Sequence, residues 1–186
     1  MKNQLRIIGG EWKRRQLPFA PIEDLRPTPD RVRETLFNWL MWDIQNAKVL
    51  DLCAGSGALS FEALSRGASS VIMIEPSALQ AKFLKENLEL LRITNQRAKI
   101  KISTAQQMLA ANTEQFDLVF LDPPYSMDLW EELSLLADPH IAEKGLIYVE
   151  ADQDLSRLKL PSHWQQLKST KAGSVRAGLY QKITQI

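Results

Sequence analysis

The chain has 186 residues, a net charge of +1, one cysteine and two histidines, with 45% of residues hydrophobic and 24% charged. That length suits one domain burying about 70% of its unfolded surface, and that composition excludes disordered, collagenous and fibrous classes. A disulfide framework, a conventional zinc site, a membrane span and a signal peptide all lack their residues, so a cytoplasmic protein without a metal is expected.

The small net charge hides an asymmetry. Residues 1–33 carry eight Lys or Arg against four acids, which leaves the remaining residues at −3. A basic end on a slightly acidic body has the form of a phosphate-contacting arm, and Trp12 and Phe19, interleaved with the basic residues, suit RNA because aromatic faces stack on bases.

In chain order, Leu5 to Gly10 and Trp12 to Leu17 read as a short hairpin with Gly9-Gly10 as its turn. Four prolines between residues 18 and 29 mark a connector. Thr28-Pro29-Asp30 then reads as an N-cap, a first-turn proline and an early acid, opening a helix to about Met41 with Val32, Leu36 and Leu40 on one face. Short apolar runs follow at 48–52, 71–74, 99–102, 118–121 and 146–149, separated by helical stretches at 58–66, 77–91, 105–112 and 129–137. Runs this short, rich in Val, Ile and Leu, are strands buried on both faces of a parallel sheet, and their alternation with helices is the doubly wound α/β pattern. The segments 164–170 and 175–182 read as a closing antiparallel hairpin.

Three constellations carry chemistry. Asp51-Leu52-Cys53-Ala54-Gly55-Ser56-Gly57 lies where the first strand of the sheet turns into a helix, with two glycines opening the backbone to a ligand. The third glycine of the dinucleotide fingerprint is replaced by Ser60, and Asp51 would repel a pyrophosphate but hold a cationic or amino-bearing ligand. Glu75 ends the next strand, where an acid can accept hydrogen bonds from ribose hydroxyls. Asp122-Pro123-Pro124-Tyr125 follows the 118–121 strand. The prolines leave carbonyls, notably that of Pro123, unengaged, and Asp122 supplies a carboxylate beside the flat face of Tyr125. Acceptors above an aromatic plate suit a planar ring bearing an exocyclic amino group.

These motifs, in order and spacing, resemble class I methyltransferases that use S-adenosylmethionine (SAM) on amino groups of bases. Three further stretches narrow the resemblance: residues 6–13 (Arg-Ile-Ile-Gly-Gly-Glu-Trp-Lys), 26–38 (Arg-Pro-Thr-Pro-Asp-Arg-Val-Arg-Glu-Thr-Leu-Phe-Asn) and 63–67 (Ala-Leu-Ser-Arg-Gly). With these the chain resembles the bacterial 16S ribosomal RNA guanine-N2 methyltransferase family along nearly its whole length. The resemblance implies a Rossmann-like, mostly parallel seven-stranded sheet with helices on both faces and an antiparallel C-terminal edge hairpin. Residues 28–186 would form the methyltransferase domain and residues 1–27 a basic extension.

It also implies SAM held by Asp51, Cys53, Ala54, Gly55 and Gly57, its ribose on Glu75 beside Pro76 and its adenine near Thr104 and Ala105. Asp122, Pro123, Pro124 and Tyr125 would be the catalytic motif. Arg6, Lys13, Arg14, Arg15, Arg26, Arg31 and Arg33 would contact 16S ribosomal RNA within an assembled or assembling small subunit, the enzyme acting as a monomer without metal. Cys53, His140 and His163 read as structural or surface residues. An adenine-N6 nucleic-acid methyltransferase shares the Asp-Pro-Pro-Tyr motif. A protein-glutamine methyltransferase is disfavoured by Asp122, a nicotinamide oxidoreductase by the missing glycine. A catalytically silent RNA-binding module would not need the full set of site residues.

Overall fold

The computed structural model describes residues 3–21 and 27–184. Seven strands form one sheet: β3 (Lys48–Asp51), β4 (Ser70–Ile74), β5 (Ala98–Lys101), β6 (Phe116–Leu121), β7 (Ile141–Ala151), β8 (Trp164–Ala172) and β9 (Val175–Lys182). Their spatial order is β5-β4-β3-β6-β7-β9-β8. The pairs β3–β4, β4–β5, β3–β6 and β6–β7 are parallel, whereas β9 runs antiparallel to both β7 and β8.

Alternate side chains of the central strands enter two cores. Val49, Val71, Met73, Leu118, Phe120 and Tyr148 face α1 (Asp30–Trp39), α2 (Ala58–Ser65) and α3 (Ala78–Leu90). Leu50, Ile72, Ile74, Val119, Leu121, Ile147 and Val149 face α4 (Ala105–Ala111) and α5 (Trp130–Ala137). Burial on both faces is why the strands read as unbroken apolar runs. β6 and β7 begin earlier than the apolar runs suggest, because polar residues such as Asp117, Glu143 and Lys144 continue the strands toward the sheet's other end.

A second, two-stranded sheet pairs β1 (Gln4–Arg6) with β2 (Gln16–Pro18), Leu5 opposite Leu17. Gly9-Gly10 is not its tight turn. The connection spans residues 7–15 and lies on α2, where the buried Glu62 carboxylate accepts the amides of Ile8 (2.8 Å) and Gly9 (2.9 Å). Ser65 Oγ accepts the Trp12 amide and donates to the Gly9 carbonyl, and the Glu11 amide donates to the Ser65 carbonyl. Gly10 has φ +79°, and a Cβ there would stand 2.0 Å from the Ser65 carbonyl oxygen, so only glycine closes this contact. Leu5, Ile7, Leu17 and Phe19 thereby join the same core as α1 and α2.

The reading of Thr28 as an N-cap is corrected. Pro29 occupies that position and makes no side-chain cap, while the buried Thr28 turns its hydroxyl toward the ends of β6 and β7.

Candidate functional site

Strand order reverses between β3 and β6: the chain leaves β3 toward β4 on one side and returns beyond β3 to form β6 on the other. Such a switch point opens a crevice at the carboxyl ends of the strands. The turn after β3 and the Asp-Pro-Pro-Tyr segment after β6 both lie there. The Ala54 amide donates to the Ile74 carbonyl (2.9 Å) and the Leu52 amide to the Phe120 carbonyl (3.2 Å), so neighbouring strands hold the turn.

Gly55 and Gly57 have φ of +55° and +83°. At Gly57 a Cβ would also meet the Phe61 ring at 2.6 Å, so this glycine serves helix packing as well as the turn. Glu75 braces the same turn, accepting the Gly55 amide on Oε2 (2.9 Å) and the Ser77 amide on Oε1 (3.0 Å). Each oxygen keeps a second lone-pair direction for a ligand hydroxyl. Burial pushes this carboxyl up, opposed by the two amides.

Asp51 is buried, and its Oδ2 accepts the Ser60 hydroxyl at 2.6 Å. That bond explains a serine where the dinucleotide fingerprint has glycine. Among the described residues no group makes a well-formed hydrogen bond to its Oδ1, the Cys53 amide giving only a weak contact to the carboxyl. Burial outweighs the Ser60 and Cys53 hydrogen bonds and raises the carboxyl to about 6. A buried carboxylate oxygen without a donor, beside a glycine turn and a second acid, fits a ligand that brings a cationic amino group. Cys53 lies between Asp51, Asp122 and Glu75, and burial followed by these charges lifts its thiol well above the ordinary range, so it is a neutral packing group.

Across the crevice, Asp122 Oδ2 lies 3.3 Å from Thr28 Oγ1. Burial, then the neighbouring Glu150 charge, hold the Asp122 carboxyl well above the carboxylate range. Pro123 is buried, and among the described residues its carbonyl accepts no hydrogen bond, as its place after Asp122 leads one to expect. The Pro124 carbonyl accepts the Met127 amide (3.1 Å), closing a 3-10 turn at Tyr125–Met127. Tyr125 stacks on Trp130 with centroids 6.1 Å apart, and its phenol donates to Glu150 Oε2 at 3.2 Å. Burial and the Glu150 charge keep that phenol neutral. Trp130 is locked in turn by its Nε1–H donating to the Glu150 carbonyl (2.9 Å).

The crevice therefore gathers Asp51, Cys53, Ala54, Gly55, Gly57, Glu75, Asp122, Pro123 and Tyr125, with Pro76 and Pro124 exposed at its rim. Thr104 is the N-cap of α4 in a capping box with Gln107, so its hydroxyl and amide are engaged there and buried Ala105 follows it. Three residues at the site have a role that the sequence reading did not give them: Thr28, Ser60 and Glu150. Glu150 follows the 146–149 apolar run as Glu75 follows the 71–74 run, but no glycine turn or proline pair beside it singles it out. Among the described residues no group of three His, Cys, Asp or Glu is placed to hold a metal ion.

The basic residues divide. Lys13, Arg14, Arg15 and Arg31 are exposed, and Arg6 is exposed but ion-paired with Asp30 at 3.1 Å. Arg33 is corrected: its side chain is 1% exposed and its guanidinium donates to the Thr28 and Arg6 carbonyls, Asp30 and Glu62, which leaves nothing for RNA. Arg26 lies outside the described residues.

A family model described as Conserved hypothetical protein 95 matches residues 5–181. The ribosomal RNA small subunit methyltransferase D of Haemophilus influenzae is 44% identical over 184 residues, covering 97% of this chain and 95% of that protein. The Escherichia coli (strain K12) protein of the same name is 43% identical, covering 98% and 92%. A solved structure of the Escherichia coli protein yhhF superposes with a TM-score of 0.90 at 41% identity, covering 98% of this chain and all of that one. With this sheet order and these relatives, the chain folds as a class I SAM-dependent methyltransferase and belongs to the Conserved hypothetical protein 95 family, alongside the ribosomal RNA small subunit methyltransferases D.

Proposed function

We propose that this chain transfers a methyl group from SAM to the exocyclic N2 of a guanine in 16S ribosomal RNA, acting on assembled or assembling small subunits. The observation that carries the reading is the juxtaposition of Asp122 and Tyr125, after β6, with the Asp51–Gly57 turn and its partnerless carboxylate oxygen. The names of the relatives support an rRNA substrate in the small subunit.

Held along the Asp51–Gly57 turn, SAM would supply a methyl group activated by its sulfonium. Asp51 takes the cofactor's amino group on its free oxygen, Glu75 the ribose hydroxyls, and the Thr104–Ala105 segment borders the adenine. Asp122 and the Pro123 carbonyl accept the two hydrogens of the target amino group, drawing its lone pair out of the ring and toward the methyl carbon. Tyr125, clamped between Trp130 and Glu150, stacks on the base. Catalysis would then rest on alignment of the amino nitrogen by Asp122, Pro123 and Tyr125. Lys13, Arg14, Arg15 and Arg31, with Arg6 and Arg26, supply the phosphate contacts.

Radiolabelled SAM offered with unmodified small subunits, naked 16S rRNA and duplex DNA in parallel tests this. Label recovered as N2-methylguanine from subunit RNA is expected. Label in DNA, or as N6-methyladenine, would transfer the assignment to the adenine enzymes that share the Asp-Pro-Pro-Tyr motif. Tight SAM binding with no label anywhere would favour the silent RNA-binding module.

A further inference from the structure

Glu150 is 3% exposed at the carboxyl end of β7, beside Asp122 at the end of β6. Thr28 Oγ1 lies 3.3 Å from Glu150 Oε2 and 3.3 Å from Asp122 Oδ2. A threonine hydroxyl has one hydrogen and donates to one of them. The other contact is a hydrogen bond only when that carboxyl carries a proton and donates to the threonine oxygen. Glu150 also accepts the phenols of Tyr125 on Oε2 (3.2 Å) and Tyr148 on Oε1 (2.8 Å). Three hydroxyls thus point at Glu150 and leave Asp122 without a donor of its own, which places the pair's proton on Asp122, donating to Thr28.

We propose that Glu150 is a positioning residue for methyl transfer: through Thr28 it shares one proton with Asp122, so that the pair carries one negative charge beside the acceptor amino group. The inference rests on the reading of Asp122 as the amino acceptor. When the amino nitrogen gains its methyl group it carries an excess proton. Asp122 passes its own proton to Thr28, Thr28 passes its hydrogen to Glu150, and Asp122 takes the proton from nitrogen. The pair ends neutral, and Asp122, which is partly open to the crevice, returns a proton to water. The titratable groups facing the pair are Tyr125, Tyr148, Asp51 and Cys53, none of them cationic, so burial and like charge both favour keeping one proton.

The test reads the free protein first. With 13C-labelled carboxyls followed by NMR, Asp122 of the wild type is expected to take up its proton well above the ordinary aspartate range. Glu150→Gln should lower the Asp122 midpoint by about one unit or more, because the competing charge is gone. Thr28→Ser should preserve the shared titration, and Thr28→Val should separate the two carboxyls. An unchanged Asp122 midpoint in folded Glu150→Gln and Thr28→Val overturns the proposal. In turnover on small subunits, Glu150→Gln should move the acidic limb of kcat to lower pH with the KM for SAM within about two-fold. A uniform loss at every pH with no movement of the limb would make Glu150 merely structural. If wild type methylates no RNA, the proposed function fails while the NMR titration still decides the pair.

Discussion

In the proposed function Asp51 serves cofactor binding at the expense of stability. Its carboxyl titrates at about 6 in the folded chain against 3.8 for the free side chain, so folding favours the protonated form. Wild type therefore gains stability as pH falls from about 6 toward 4, and above 6 it carries the full cost of a buried charge, roughly 2–3 kcal/mol. Asp51→Asn keeps an acceptor for Ser60 and removes that charge. Urea melts at pH 7.5 should show the variant more stable by about that amount, the gain vanishing below pH 4, while calorimetry shows SAM binding at least about tenfold weaker. A variant no more stable than wild type at pH 7.5 would mean Asp51 has a partner that the fold does not provide. Asp122→Ala acts differently: methyl transfer should be abolished with SAM affinity within a few-fold, because the proposed function gives Asp122 to the acceptor and Asp51 to the cofactor. Unchanged turnover would remove Asp122 from the reaction.

Among the elements, α2 does the most. Its first turn receives the glycine turn, and its Glu62 and Ser65 hold the loop between β1 and β2. Glu62 is fully buried, and Arg66 (2.9 Å) and Arg33 (3.5 Å) supply the countercharge. Removing one member of such a group leaves an uncompensated buried charge or orphaned amides, the costly way to break a buried pair. The tightest point is Gly10. Gly10→Ala places a methyl group into the Ser65 carbonyl at positive φ, and chemical denaturation should show a loss of roughly 2–4 kcal/mol. A loss below about 1 kcal/mol would mean that the loop lifts off α2 freely. Gly173 gives the contrast: it also has positive φ, but a Cβ there meets nothing within 4 Å, so the same change should cost only the backbone strain.

At the scale of the molecule, charge and shape are arranged around one end of the sheet. Burial, carboxylates and the aromatic clamp converge on the crevice, while the exposed cations Lys13, Arg14 and Arg15 lie on the loop pinned to α2. Because Leu5, Ile7, Leu17 and Phe19 sit in the main core, those cations are displayed on a fixed platform rather than on a loose arm. Replacing all three by Ala should weaken binding to 16S rRNA and flatten its dependence on log[salt] by about 0.7–0.9 for each phosphate no longer neutralised. An undiminished salt slope would place the docking surface elsewhere.

How much of this was legible in the residues follows from how local each cause is. The strands, helices and sheet class could be read because apolar runs and helix caps act within a few residues: Ser77 caps α3 by accepting the Gln80 amide, and Gly67 follows the end of α2. The glycine turn, Glu75 and the Asp-Pro-Pro-Tyr segment were legible for the same reason, since each lies at the end of its own strand. Thr28, Glu150 and Arg33 were not. Thr28 carries the local signature of a helix cap, Glu150 looks like any acid after a strand, and Arg33 counts as one more cation. Their roles depend on groups far along the chain: Thr28 meets Asp122 and Glu150, 94 and 122 residues away, and Arg33 meets Glu62, 29 residues away. By itself, then, the sequence determined the elements, the sheet and the residues facing the crevice, because short-range periodicity and chain stiffness dictate them. Only the tertiary structure decided which carboxyls meet at Thr28 and which cations stay exposed, because burial and pairing are set by what the rest of the chain brings alongside.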